Sequence, residues 1–392
     1  MQIFEVFWTA FKLGLVSFGG PVAHLSYFRQ EYVENKKWLS EQNYSDLVAL
    51  CQFLPGPASS QVGMAIGYQR AGIAGAIFSW LGFTLPSALV LILFALGLSQ
   101  VDLSSQKIWL HGLKIAAVAI VAHAILSMLR SLCPDYPRKI IAAITVALLI
   151  FTGSPSWQFL ILTLAGISGV FLFKPAAFTE SRSSVLPKIK SWIFFIVLFL
   201  ALLILPSFVR ENSTSFVLNL FDSFYRVGAL VFGGGHVVLP LLQNEVVHSG
   251  IISKELFLAG YGLANAMPGP LFALSAFIGA ASFGPLTGWA GGLFCLIAIF
   301  LPSFLLIFGV MPIWGHLKNN TLIRRALMGV NAAVVGLLVA AFWDPVWTSA
   351  IFDIRDFVLA LLGFLLLERK KMNSWKVVVG ITFLHTALGM FN

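Results

Sequence analysis

Charge is what this 392-residue chain has least of: Asp, Glu, Lys and Arg together supply 10% of it, against roughly a quarter of an ordinary soluble domain. Apolar residues supply 58%. A soluble fold of this size needs polar cover over its outside, and too little is present to provide it. Lipid removes that need, so the composition points to an integral membrane protein. Cysteine is scarce too. Cys51, Cys133 and Cys295 stand far apart in apolar surroundings without CxxC spacing, which excludes a disulfide framework and a thiolate metal site. Catalytic signatures are missing: there is no HExxH, no GxSxG and no GxxxxGK[ST]. The last absence excludes ATP hydrolysis by a phosphate loop and leaves an ion gradient as the energy source. The chain therefore reads as a non-enzyme with no cofactor and no metal; His111, His123, His248, His316 and His385 show no metal-ligand spacing with one another. Acidic residues are the rarer sign, 16 against 25 basic ones, for a net charge of +9. The Lys and Arg residues sit in short blocks between apolar runs, the pattern of membrane-flanking loops, so nucleic acid is excluded as a partner.

Apolar runs that meet or nearly meet the length of a span cover 3–22, 72–99, 111–131, 138–153, 155–174, 191–209, 216–234, 285–313, 322–343, 351–367 and 374–391. The start of the chain lacks a basic leader and cleavage site, so the first run is expected to be a permanent span. Two further stretches, 43–69 and 254–282, are interrupted by Pro-Gly-Pro. Each arm is about a dozen residues, or roughly 18 Å of helix. Joined end to end the arms cross once as a broken helix; folded back they make a re-entrant hairpin. Loop charge favours crossing, because it then gathers Arg130, Arg138, Lys139, Lys174, Arg182, Lys188, Lys190, Lys318, Arg324, Arg325, Arg369, Lys370, Lys371 and Lys376 on one side. The expectation is an all-α polytopic membrane protein of about thirteen crossings, N-terminus cytoplasmic and C-terminus external. The first loop, basic through Arg29, Lys36 and Lys37, is the misfit.

The chain also repeats itself. Lys12-Leu13-Gly14-Leu15-Val16-Ser17-Phe18-Gly19-Gly20-Pro21 matches Arg226-Val227-Gly228-Ala229-Leu230-Val231-Phe232-Gly233-Gly234-Gly235, and Glu31 falls in register with Glu245. Leu54-Pro55-Gly56-Pro57 matches Met267-Pro268-Gly269-Pro270, and Leu85-Pro86-Ser87 matches Leu301-Pro302-Ser303. A first repeat over 1–174, a cytoplasmic linker with one linking helix over 175–210, and a second repeat over 211–392 follow. About six spans per repeat with one crossing between them would invert the second relative to the first, a common plan of secondary transporters.

The breaks suggest where a ligand sits. Pro-Gly-Pro stops one helix arm and starts another. The arms that start near Pro57 and Pro270 present free amides and partial positive charge, which suits an anion. Gly19-Gly20 and Gly233-Gly234 let backbone approach a ligand closely. Ser59, Ser60, Gln61, Gln52 and Asn265 lie beside the breaks. Lys12 and Arg226, aligned within spans, are candidates for attracting a divalent anion or for snorkelling to the interface. His24, His236, Glu31 and Glu245 follow the breaks and are candidates for carrying coupled protons, or are plain loop residues. Small pairs such as Gly288 with Gly292 suit packing against a second copy, as a homodimer, or against the same chain.

At these residues the sequence resembles the chromate ion transporter family. The matching features are Phe18-Gly19-Gly20-Pro21-Val22-Ala23-His24-Leu25, Arg29-Gln30-Glu31-Tyr32-Val33, Trp38-Leu39 and Leu54-Pro55-Gly56-Pro57 with Gln61 and Gly67. The second half adds Phe232-Gly233-Gly234-Gly235-His236-Val237-Val238-Leu239-Pro240 and Met267-Pro268-Gly269-Pro270. The resemblance implies the long, two-domain form in a bacterial inner membrane, exporting chromate by the proton-motive force and conferring chromate resistance. Sulfate, a divalent tetrahedral oxyanion of similar shape, is the natural look-alike. Sulfate uptake or exchange, a passive channel, and an intramembrane enzyme acting on a lipid phosphate are the competing readings. The last would need an acidic metal-binding cluster that the apolar runs do not contain.

Overall fold

The computed structural model describes residues 2–18, 20–99, 107–152, 157–174, 191–210, 215–232, 238–314 and 320–389. The expectations for Gly19, Gly233, Gly234, His236 and the polar linker 175–190 lie outside the described residues. What is described is helical, with no strand among the described residues. The order is α1 (Gln2–Val16), α2 (Gly20–Phe28), a π-helical turn Arg29–Asn35, α3 (Glu41–Phe53), α4 (Ala58–Ser99), α5 (Lys107–Leu132), α6 (Tyr136–Thr152), α7 (Trp157–Leu172) and α8 (Ser191–Arg210). Then come α9 (Phe216–Leu230), α10 (Val238–Val246), α11 (Lys254–Ala266), α12 (Leu274–Ala280), α13 (Gly288–Val310), α14 (Thr321–Ala341), α15 (Ile354–Glu368) and α16 (Ser374–Gly389).

Local chemistry sets the boundaries. Ser40, Ser253, Asn320 and Asp353 cap α3, α11, α14 and α15 by accepting from backbone amides of the first turn, each satisfying donors that the helix itself leaves unpaired. Pro-Gly-Pro ends α3 and α11. Inside α4, Ala71 and Gly72 leave the helical region, Gly72 at φ +62°, so the helix bends where the sequence separates 43–69 from 72–99. The first run differs from expectation. Its helix ends at Val16, a second begins at Gly20, and the segment expected as a basic loop stays helical to Asn35. Arg29 holds it there through Glu34 (2.5 Å) and Glu41 (2.7 Å), and the Asn35 amide donates to Glu31 (2.8 Å). The charges that mark a loop in sequence are here satisfied by one another.

Among the described residues, four helical stretches are long and apolar enough to cross a membrane: 58–98, 108–132, 288–313 and 321–344. Shorter apolar helices cover 160–172, 192–206, 271–280 and 374–388. Large apolar side chains face outward on the peripheral helices, among them Phe151 (88% exposed) on α6 and Phe171 (82%) on α7. Water would penalise such faces; lipid does not. The protein is a multi-pass membrane protein.

The core is where the inner helices cross. Packing pairs are α1 on α4, α9 on α13, α14 on α6 and α7, and α5 on α15 and α16. The first two use the same device. A Cβ on Gly14 of α1 would stand 2.6 Å from the Phe83 carbonyl of α4, and one on Gly228 of α9 would overlap the Ile299 carbonyl of α13. Only glycine permits backbones to touch this closely. Phe83 and Ile299 each lie two residues before a Leu-Pro-Ser, so the recurring sequence landmarks carry recurring contacts. Gly292, expected to face either a partner or the chain itself, packs on Ile92 and Ala276 of the same chain.

Candidate functional site

Each Pro-Gly-Pro turn needs a residue at positive φ: Gly56 stands at +117° and Gly269 at +98°, where a side chain would be strained. Both turns dock on the other end of the chain. The Gly56 amide donates to the Val231 carbonyl at 2.7 Å, and the Gly269 amide donates to the Ser17 carbonyl at 3.0 Å. Ser17 precedes the first Gly-Gly, and Val231 holds the matching place before the second. Serines of the two Leu-Pro-Ser segments complete the exchange. A Cβ on Gly56 would meet Ser303 Oγ at 2.7 Å, and one on Gly269 would meet Ser87 Oγ at 2.8 Å. The two contacts are reciprocal.

The start of α4 gathers buried polar groups. Its first intrahelical bond runs from the Gln61 amide to the Pro57 carbonyl (2.9 Å), so the amides of Ala58, Ser59 and Ser60 precede the ladder. Gln61 is fully buried and donates through Nε2 to the Pro55 carbonyl (2.6 Å) and Ser303 Oγ (3.2 Å). His24, 1% exposed, meets Ser59 Oγ through Nδ1 at 3.2 Å. Ser17 Oγ, His24 Nε2, Ser60 Oγ, Gln61 Oε1 and Thr84 Oγ1 are buried without a hydrogen-bond partner. Buried polar atoms are nearly always paired, so a concentration of orphans marks a place suited to a polar ligand or to water. Across the turn, Gly20, Asn265, Met267, Gly269, Leu271 and Ser374 line a cavity of about 20 Å³, room for about one water. In this conformation the site is closed around its polar groups.

Of the residues singled out from sequence, Pro55, Gly56, Pro57, Ser59, Ser60, Gln61 and His24 come together around the start of α4. Gly20, Asn265, Pro268, Gly269 and Pro270 meet at the other turn, although Asn265 turns its amide back to the Tyr261 carbonyl at 2.8 Å. The two cations do not converge. Lys12 is exposed with Nζ over the Trp8 ring at 5.8 Å. The inner face of α1 is Val6, Thr9, Ala10, Leu13 and Gly14, and position 12 falls outside it. Arg226 is ion-paired to Asp222, lies 3.9 Å from Glu245, and lines a separate cleft of about 380 Å³ with Leu162, Thr163, Leu230 and Phe232. Its charge is answered by its own helix; the i, i+4 spacing of Asp222 and Arg226 was the sequence signal for that. Glu245 accepts from Ser223 (3.0 Å) and Glu31 from Asn35 (2.8 Å), in different surroundings. Gln52 is exposed, because it lies on the outer side of α3. Ser87 and Ser303 are the members that sequence reading left out of the site; the recurring Leu-Pro-Ser was their signal. One grouping went unread altogether. His111, Asp356 and His385, scattered along the chain, meet at one place in space.

Comparison with known proteins adds to this geometry. The family described as Chromate transporter matches residues 4–170 and, separately, residues 218–387. An uncharacterized transporter of Methanocaldococcus jannaschii is 27% identical over 96% of this chain and 92% of its own length. Chromate transport proteins of Cupriavidus metallidurans (29% identical; 94% of this chain, 89% of the relative) and Pseudomonas aeruginosa (26%; 88% and 82%) are similar over nearly as much. No solved structure matches the chain.

Proposed function

The chain belongs to the chromate transporter family, and from that premise we propose that it is a secondary transporter carrying chromate out of the cytoplasm at the expense of the proton gradient. Its relatives are named as transporters, not as enzymes. The proposed organisation is two inverted repeats, 1–174 and 211–392, with 175–210 as linker and linking helix, in a bacterial inner membrane with the N-terminus cytoplasmic. The observation that carries the reading is the reciprocal pair of hydrogen bonds from Gly56 to Val231 and from Gly269 to Ser17. They bring both breaks to one interface, where rocking of one repeat on the other would expose them to either side in turn. The family profile, which matches twice, supports the same organisation.

In this mechanism the oxyanion is held by the amides at the start of α4 and by the hydroxyls of Ser59, Ser60 and Ser303, with Gln61 fixing the turn. His24, buried at the same place with one nitrogen unpartnered, is the proton carrier. Arg226 and Glu245 act at a distance from the oxyanion, through the neighbouring cleft. The test is chromate flux in inverted vesicles bearing the protein, with and without an uncoupler and excess sulfate. Uncoupler-sensitive chromate uptake into such vesicles is expected. Gln61→Ala is expected to abolish it with the protein still inserted, while Asn265→Ala, at the second turn with its amide bonded back to Tyr261, weakens it less. Absence of chromate movement by inserted protein would overturn the substrate. Flux blocked by sulfate and carrying sulfate in its place would assign the broader oxyanion class.

A further inference from the structure

Sequence spacing conceals a cluster that lies outside the oxyanion site. His111 on α5, Asp356 on α15 and His385 on α16 meet where those three helices pack. His111 Nε2 is 3.1 Å from Asp356 Oδ2, His385 Nε2 is 3.8 Å from Asp356 Oδ1, and one ligand atom from each residue lies within 4.8 Å of the others. A tetrahedral ion bound at about 2.0–2.2 Å holds its ligand atoms about 3.3 Å apart. The observed separations bracket that spacing, and rotamer-scale movement closes the set.

The neighbours orient the donors. A backbone carbonyl can only accept, so His385 Nδ1, 3.1 Å from the Ile108 carbonyl, carries a proton. In the neutral ring the Nε2 lone pair then faces the Asp356 carboxylate. Lone pair and carboxylate repel unless a cation, a second proton or a metal ion, stands between them. Asp356 Oδ2 also accepts from the Phe352 amide at 3.0 Å, and the Phe352 ring stacks on His111 with centroids 5.1 Å apart and planes 9° from parallel. The carbonyl behind His385 fixes its tautomer, as in metal sites, and the stacked ring holds the plane of His111. Asp356 is 4% exposed, whereas the His111 and His385 side chains are 17% and 18% exposed. The carboxylate is held in place and the imidazoles are reachable. Lys114 is the opposing charge, its Nζ 6.0 Å from the Phe352 ring centroid. Glu255 and Asp356 are the acidic groups that face it, with Lys254 as a further like charge.

We propose that His111, Asp356 and His385 form a binding site for one divalent transition-metal ion of the zinc type, its fourth position open to water. Two imidazoles and one carboxylate are a donor set of intermediate softness, suited to zinc and cobalt rather than to magnesium or calcium. The site ties α5, within the first matched stretch, to α15 and α16, within the second. A bound ion therefore clamps the two parts of the chain together. The inference does not depend on which anion is carried.

The test uses the full chain without an affinity tag, purified in detergent, stripped with a chelator and titrated with Co²⁺. Wild type is expected to take up one Co²⁺ per chain with the visible absorption of a tetrahedral ion, and Zn²⁺ is expected to bleach it. His111→Ala and His385→Ala are each expected to weaken Co²⁺ at least about tenfold while the protein elutes unchanged on gel filtration. Asp356→Asn should lose more, but Asp356 also holds the Phe352 amide, so the histidine variants are the readout that folding does not confound. No tetrahedral absorption in wild type would overturn the site. Equal Co²⁺ affinity in the His111→Ala/His385→Ala double variant would overturn it as well, by assigning the metal to other side chains.

Discussion

Two helix trios in this chain share a layout and differ in chemistry. One is α5 against α15 and α16; the other is α14 against α6 and α7. Asp353 caps α15 by accepting the Asp356 amide (2.9 Å), and Asp135 accepts the Arg138 amide (3.0 Å) at the start of α6. Asp356 and Arg138 thus occupy the same station, three residues beyond an aspartate. Around Arg138 the trio closes by shape. A Cβ on Gly329 would overlap the Ala165 carbonyl, and one on Gly336 would overlap that of Ala142. Arg138 itself lies over the Phe173 ring at 5.2 Å and pairs with Asp135 at 3.2 Å. Around Asp356 the trio closes by ionisable groups: His111 and His385, then Arg130 with Glu368 at 2.6 Å and His123 with Glu368 at 3.5 Å. Backbone packing answers only to volume. Ionisable packing answers to ions, so of the two trios the α5 trio is the one that solution conditions tune more.

The comparison can be broken most forcefully at Gly329. Gly329→Val is expected to destabilise the protein at or beyond the top of the ~1–3 kcal/mol range for overpacking, because the group it strikes is backbone. Thermal unfolding in detergent measures this, and an unchanged midpoint would mean that shape does not hold the α14 trio. Zn²⁺ at a hundredfold excess over its Kd is expected to stabilise wild type by about 2.7 kcal/mol and His385→Ala by far less. Equal stabilisation of both would remove the chemical difference between the trios. Gly112→Val, whose Cβ would stand 2.9 Å from Thr382 Cα, is expected to cost less than Gly329→Val, within the same ~1–3 kcal/mol range. Lys114→Ala should tighten Co²⁺ less than about tenfold by removing one partly screened like charge. The smallest effect is expected from Glu368→Gln. Arg130 is mostly exposed, and such pairs add little to stability; a small shift that disappears at high salt is the expected outcome.

Much of the candidate site was legible because it is written locally. Pro-Gly-Pro demands a turn wherever it occurs, and Gly56 and Gly269 adopt the positive φ that only glycine takes without strain. The repeated Leu-Pro-Ser pointed to recurring contacts, though not to Ser87 and Ser303 as partners of those glycines. Of the two roles open to Lys12, its exposed place over Trp8 fits snorkelling, and alignment with Arg226 does not say which face of α1 looks inward. That depends on the register of Gly14 against Phe83. For Arg226, expected to attract an anion or to snorkel, the sequence did not show the pairing with Glu245, which completes only when α9 and α10 pack.

Composition alone determined that this chain belongs in lipid, because 10% charge cannot cover a soluble surface of this size. Apolar run length determined that it is helical there, since backbone groups in a bilayer must be satisfied within the chain. Pro-Gly-Pro determined where α3 and α11 end, and Gly72 where α4 bends. Which polar groups meet was decided only by tertiary structure. Gln61 reaches Ser303, Gly56 reaches Val231, and His111 reaches Asp356 and His385. Each pair lies far apart in sequence, on helices whose facing sides are set by where backbones approach closely enough to touch, and no local pattern carries that information.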